Sequence, residues 1–128
     1  MYGCLHSLLP GADLLALARA FTPRVEAADP LTVLLDCRGL GRVWPQPEAL
    51  GRALIEAGRG HGLDLGVALA WSRVVARILA SARTGLTIVA PGREAEALAP
   101  LPLALLRLAP ERQDLFRRWG LTTLGELA

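Results

Sequence analysis

The run Leu31-Thr32-Val33-Leu34-Leu35 constrains this chain more than any other stretch. Bounded by Pro30 on one side and Gly39 on the other, an uncharged run of this length fits a strand buried on both faces of a sheet. It ends in Asp36, and the glycine-punctuated turn Gly39-Leu40-Gly41 follows. An acid at the carboxyl end of a buried strand stands where an α/β site is placed. The residues ahead of it, from Phe21 to Pro30, read as a loop.

The elements around that strand follow from period and punctuation. Tyr2 to Leu9 is a short, mostly apolar run closed by Pro10-Gly11, which predicts a first strand. Asp13 is placed to cap a helix through Ala20, with Leu14, Leu17 and Ala18 on one face. After the strand at Thr32 to Cys37, Ala49, Leu50, Ala53, Leu54 and Ala57 recur at helical spacing between Pro47 and Arg59. Leu63 to Ala70 predicts a strand. Ser72 then caps a helix to Arg83, with Val74, Val75, Ile78 and Leu79 as its apolar face. Leu86 to Val89 predicts a last strand, and Arg93 to Leu98 a short helix. Strands alternating with helices imply an α/β or α+β fold in which helices cover one face of a small sheet. Periodicity does not give the strand order.

Beyond Leu98 the character changes. The segment Ala99-Pro100-Leu101-Pro102-Leu103 is a proline-rich joint, and short helical pieces are expected at Ala104 to Leu108, Glu111 to Trp119 and Thr123 to Leu127. The expected division is therefore an α/β domain over 1–98 and a helical piece over 99–128. Gly120 stops the second helix, so the end of the chain resembles half of a helix-hairpin-helix unit.

Composition limits the function classes. A chain of 128 residues makes one domain, or one with a small appendage. Mean hydropathy is +0.37, yet no apolar segment approaches the ~20 residues that span a bilayer, and the start lacks the basic region of a signal peptide. A cytoplasmic protein with no membrane partner is expected. All 14 basic residues are arginine, a bias that a GC-rich genome produces and that suits bidentate phosphate recognition. Cys4 and Cys37 lack metal-ligand spacing and read as buried thiols. His6 and His61 are isolated, and Trp119 reads as core.

Three segments carry a resemblance. Asp29-Pro30-Leu31-Thr32-Val33-Leu34-Leu35-Asp36 resembles the second acidic motif of the Y-family (translesion) DNA polymerases, S-I-D-E-A-F-L-D, with the terminal L-D kept as Leu35-Asp36. The flanks Thr22-Pro23-Arg24-Val25-Glu26 and Leu35-Asp36-Cys37-Arg38-Gly39-Leu40-Gly41-Arg42-Val43-Trp44 resemble the ImuB-like, polymerase-related branch. Val67 to Arg77 resembles the family's V-G-I-A-P-N-K-L-L-A-K, with Trp71 in place of the proline. Arg117 to Ala128 resembles its thumb motif.

The resemblance implies a palm-like sheet followed by a thumb-like helical piece. Leu31 and Thr32 stand where the family carries its metal-binding acid pair, and the D-x-D-x-F-F-A segment with the first family carboxylate is absent, the chain opening Met-Tyr-Gly-Cys-Leu-His. Hard divalent cations require anionic oxygen, so no catalytic residue, no metal, no cofactor and no enzyme activity is expected. Asp36 and Gly39 are expected to anchor a turn. Ser72, Arg73, Arg77 and Arg83 are the expected phosphate ligands, Arg83 lying near a family lysine that contacts the incoming triphosphate. Arg112, Arg117 and Arg118 would add electrostatically in the thumb-like piece, while Pro110 at the first hairpin removes a donor there. Trp71 is the expected partner contact.

By resemblance to the ImuB-like branch, the chain would be a truncated, non-catalytic adaptor in damage-induced (SOS) translesion synthesis. Its partners would be weakly and non-specifically bound DNA, an error-prone polymerase, a RecA-like accessory protein and a sliding clamp. Two other readings stand beside it: a small enzyme using Asp36 and nearby arginines on a phosphorylated substrate, and an autonomous DNA-binding module.

Overall fold

The computed structural model describes residues 1–9, 13–101, 110–120 and 123. The expected Pro10-Gly11 turn, the helix expected at 104–108 and the remainder of the piece expected from Thr123 lie outside them. Five strands form one mixed sheet: β1 (Tyr2–His6), β2 (Val25–Asp29), β3 (Thr32–Asp36), β4 (Gly66–Ala70) and β5 (Gly85–Ile88), in the order β2-β3-β1-β4-β5. β1 runs antiparallel to both neighbours, placing Tyr2 opposite Asp36 on β3 and opposite Ala70 on β4. β4 and β5 are parallel, as the helix between them requires. The helices are α1 (Leu14–Arg19), α2 (Pro47–Gly60), α3 (Arg73–Ala82), α4 (Glu94–Leu98) and α5 (Pro110–Arg118).

The sheet separates two apolar layers, and strand alternation divides the residues between them. Leu5, Val33, Leu35, Val67 and Leu69 face α1 and α2, meeting Leu14, Leu17, Leu50 and Leu54. Cys4, Ala68 and Ala70, with Leu34, face α3 and meet Val75, Ile78 and Leu79. The α+β class stands, but helices pack on both faces rather than one. The reason is the apolar run on β3, which supplies a side chain to each layer in turn. On β4 the face toward α3 carries only Gly66, Ala68 and Ala70, and this lets the helix approach closely. A Cβ at Gly66 would collide with the backbone carbonyl oxygens of Ala80 and Arg83.

Three further expectations are corrected. The loop before β3 contains a strand, β2, hydrogen-bonded to β3 with a shift in register between Ala27 and Asp29. Its sequence, Val-Glu-Ala-Ala-Asp, is small and acidic because an edge strand paired on one side buries little. Val74 is 64% exposed, since the stripe that α3 buries is Val75, Ile78 and Leu79, and Val74 points away from it. Trp119 is 64% exposed rather than core, following a helix whose described side chains are all exposed. Among the described residues, no helix is long and apolar enough to cross a membrane.

Candidate functional site

The carboxyl end of β3, the amino end of β1 and the first turn of α3 meet around a cleft of about 300 Å³. Tyr2, Pro23, Arg24, Glu26, Asp36, Arg38 and Arg73 are among its lining residues. The β1–β3 register brings Tyr2 opposite Asp36, and the β2–β3 register sets Glu26 beside Leu34 on the same face.

Asp36 is locked to the turn that follows it. The backbone N–H of Arg38 donates to Oδ1 at 3.0 Å, Arg38 Nε donates to both oxygens at 3.0 Å, and Nη2 donates to Oδ2 at 2.6 Å. The guanidinium first, and then the backbone N–H, hold the carboxyl down to about 2 from its ordinary 3.8. Gly39 takes φ +86°, a left-handed conformation that glycine adopts without penalty, and leads into a 3-10 turn at Leu40–Arg42. With both oxygens committed to Arg38, the geometry offers no support for Asp36 as a catalyst on a phosphorylated substrate.

Ser72 caps α3, its Oγ accepting the Val75 N–H at 3.5 Å. Arg73 Nη2 donates to Glu26 on β2, and its guanidinium lies 6.0 Å from the centre of the Tyr2 ring. One turn on, Arg77 Nη2 lies 3.5 Å from Asp29 Oδ2. Two of the expected phosphate ligands are thus paired with acids of the edge strand. Arg83 is exposed at the opposite end of α3. Arg112, Arg117 and Arg118 lie exposed on α5, with Arg117 3.6 Å from Asp114. Trp71, just ahead of α3, is 53% exposed.

Sequence reasoning missed Tyr2, Arg24 and Arg38 as neighbours of Arg73, because only the sheet register brings them together. It also missed a buried polar pair, in which His6 Nδ1 is hydrogen-bonded to Thr32 Oγ at 2.9 Å, between residues 26 positions apart. A histidine on a strand facing a threonine in the apolar run was the available signal.

The positions where the family resemblance implies a metal pair do not fit one. Thr32 is fully buried and its hydroxyl is engaged by His6, while the Leu31 side chain has no oxygen and its backbone carbonyl accepts the Ser7 N–H at 2.9 Å. Among the described residues, no group of three or more His, Cys, Asp or Glu side chains is placed to hold a metal ion.

No protein-family model matches the chain. It is 30% identical over 112 residues to DNA polymerase IV 2 of Mesorhizobium japonicum, covering 84% of this chain and 27% of that protein. It is 33% identical over 122 residues to DNA polymerase IV of Streptomyces coelicolor, covering 91% of this chain and 26% of that one. The chain is a Y-family DNA polymerase-like protein. Its fold is similar to a DinB family error-prone DNA polymerase from Sulfolobus solfataricus, with TM-score 0.66 at 18% identity over 87% of this chain and 35% of that one. It is also similar to a Dbh ternary complex with partially disordered substrates, with TM-score 0.64 at 19% identity over 87% and 34%. The mixed sheet with its helices is thus the Y-family palm-like fold. This polymerase-like chain spans about a quarter of the length of the curated relatives it matches.

The relatives overturn one expectation. The residues at positions 31 and 32 argued against an enzyme, yet both relatives are named DNA polymerases, and so is one of the solved structures. A missing motif within one segment says what that segment does not hold, whereas the likeness to DNA polymerase IV extends over 84–91% of this chain.

Proposed function

We propose that this chain acts in DNA repair or translesion synthesis as a DNA-contacting adaptor built on a Y-family palm. One observation carries the reading: α3 is tied across the sheet by Arg73 to Glu26 and Arg77 to Asp29, so these two guanidiniums are held in place at the side of α3 that faces the edge strand. Arginines held this way approach a phosphate backbone with little ordering left to do, and phosphate contacts position a protein without reading sequence. Ser72, Arg73, Arg77 and Arg83 form the principal contact, and Arg112, Arg117 and Arg118 contribute from a separate thumb-like piece over 99–128. Asp36 and Gly39 hold the turn beneath the contact.

The relatives named DNA polymerase IV, and the fold likeness to a Dbh ternary complex, support DNA as the ligand. By the resemblance stated above, the protein partners are an error-prone polymerase, a RecA-like accessory protein and a sliding clamp. Fluorescence anisotropy with a labelled primer–template tests the DNA contact. Replacing Arg77 and Arg83 together by glutamine is expected to weaken binding several-fold and flatten its salt dependence by about one phosphate contact per arginine. Unchanged binding would remove α3 from the interface.

The relatives' names favour a second reading for the whole protein, templated nucleotide addition. Primer extension by the purified chain tests it directly.

A further inference from the structure

We propose that the cleft at the start of α3, together with Trp71, is a contact for single-stranded nucleic acid, in which guanidiniums take phosphate oxygens and the indole stacks an unpaired base. This deepens the DNA-contacting reading above and rests on it. Three guanidiniums, Arg24, Arg38 and Arg73, line the cleft against two carboxylates, Glu26 and Asp36, leaving one positive charge in excess. The acids do not cancel the site. Asp36 engages Arg38 through Nε and Nη2, and Glu26 engages Arg73 through Nη2, so each guanidinium is oriented and keeps donors to spare. Arg24 makes no salt bridge within 4.0 Å among the described residues, and its charge acts on Asp36 only at longer range. A cleft of about 300 Å³ admits a phosphodiester.

The aromatic partner sits next door. Ala70 ends β4 opposite Tyr2, which lines the cleft, so Trp71 leaves the sheet at the same end, two residues before Arg73. Trp71 is 53% exposed, and Val74 on the first turn of α3 is 64% exposed. Large apolar side chains held open beside a basic cleft are the components of a stacking platform with an electrostatic groove. A duplex keeps its base faces stacked on one another. An unpaired base offers its face to an indole, and this selects the single strand.

The test measures anisotropy of fluorescein-labelled oligothymidylate and of a blunt duplex of equal length, using the whole chain. The expected result is tighter binding of the single strand, weakened about tenfold by Trp71→Ala and largely restored in Trp71→Phe, with duplex binding unmoved by either. Arg24→Gln is expected to weaken oligothymidylate binding and reduce its salt slope by about one. Circular dichroism checks folding, and should Trp71→Ala not fold, Trp71→Phe and Arg24→Gln decide. Wild-type affinity for oligothymidylate in Trp71→Ala overturns the inference while leaving the DNA contact of α3 intact. Equal displacement by poly-glutamate also overturns it, since a purely electrostatic surface has no use for a base. Failure to bind either DNA overturns it together with the reading beneath.

Discussion

Arg73, the first residue of α3, is hydrogen-bonded to Glu26 on the edge strand β2, 47 residues earlier in the chain. With Arg77 and Asp29 a turn away, the contact straps the helix across β1 and β3 to the far edge of the sheet. The edge strand is thereby given charged residues that discourage pairing with another chain, and the helix arginines are given fixed places.

The strap contributes position more than stability. Arg73 and Glu26 side chains are about half or more exposed, at 49% and 64%, so a double-mutant cycle between Arg73→Ala and Glu26→Ala in urea denaturation is expected to give a coupling of ~0.2–1 kcal/mol. A coupling well above that would mean the pair is a structural keystone.

Gly66 is a steric requirement of the β4–α3 contact. Gly66→Ala is expected to destabilise by about 1–3 kcal/mol, because the added methyl meets backbone rather than a movable side chain. The midpoint of urea unfolding measures it, and an unchanged midpoint would show that α3 can back away from the sheet.

Asp36 carries a pH signature. Its carboxyl is held near 2 in the folded chain, below its ordinary 3.8, so the folded state favours the ionised form. The stabilisation is present above the unfolded value and is lost as pH falls through the folded one, placing the loss between about 3.8 and about 2. A carboxyl titration followed by NMR is expected to show a midpoint near 2 that Arg38→Ala moves up toward 3.8. A midpoint at 3.8 in the parent chain would deny the Arg38 contact.

The two thiols are shielded. Burial pushes Cys4 up to about 12 and Cys37 up to about 11, and neither is in a disulfide. A disulfide reagent at pH 8 is expected to modify neither in the folded chain and both in guanidinium. Rapid modification of either without denaturant would contradict the core described.

What the sequence made legible depended on the range of the interaction. β3 announced itself through five uncharged residues in a row, and α2 and α3 through their periods and the Ser72 cap. Asp36 and Arg38 are two positions apart, so their engagement is a local matter. β2 was hidden because Val-Glu-Ala-Ala-Asp on an edge carries no alternating apolar signal. Arg73 and Glu26 share no local pattern, and only the strand order, which periodicity does not encode, makes them neighbours. The polymerase kinship was readable from motifs, but whether the lineage is catalytic was not decided by two substituted positions.

The salt dependence of DNA binding tests the central claim most directly. Measured by anisotropy with a primer–template, the logarithm of the association constant is expected to fall linearly with the logarithm of salt concentration, with a slope reflecting several phosphate contacts. Binding that ignores salt, or no binding at low salt, would contradict a palm that grips DNA through its arginines.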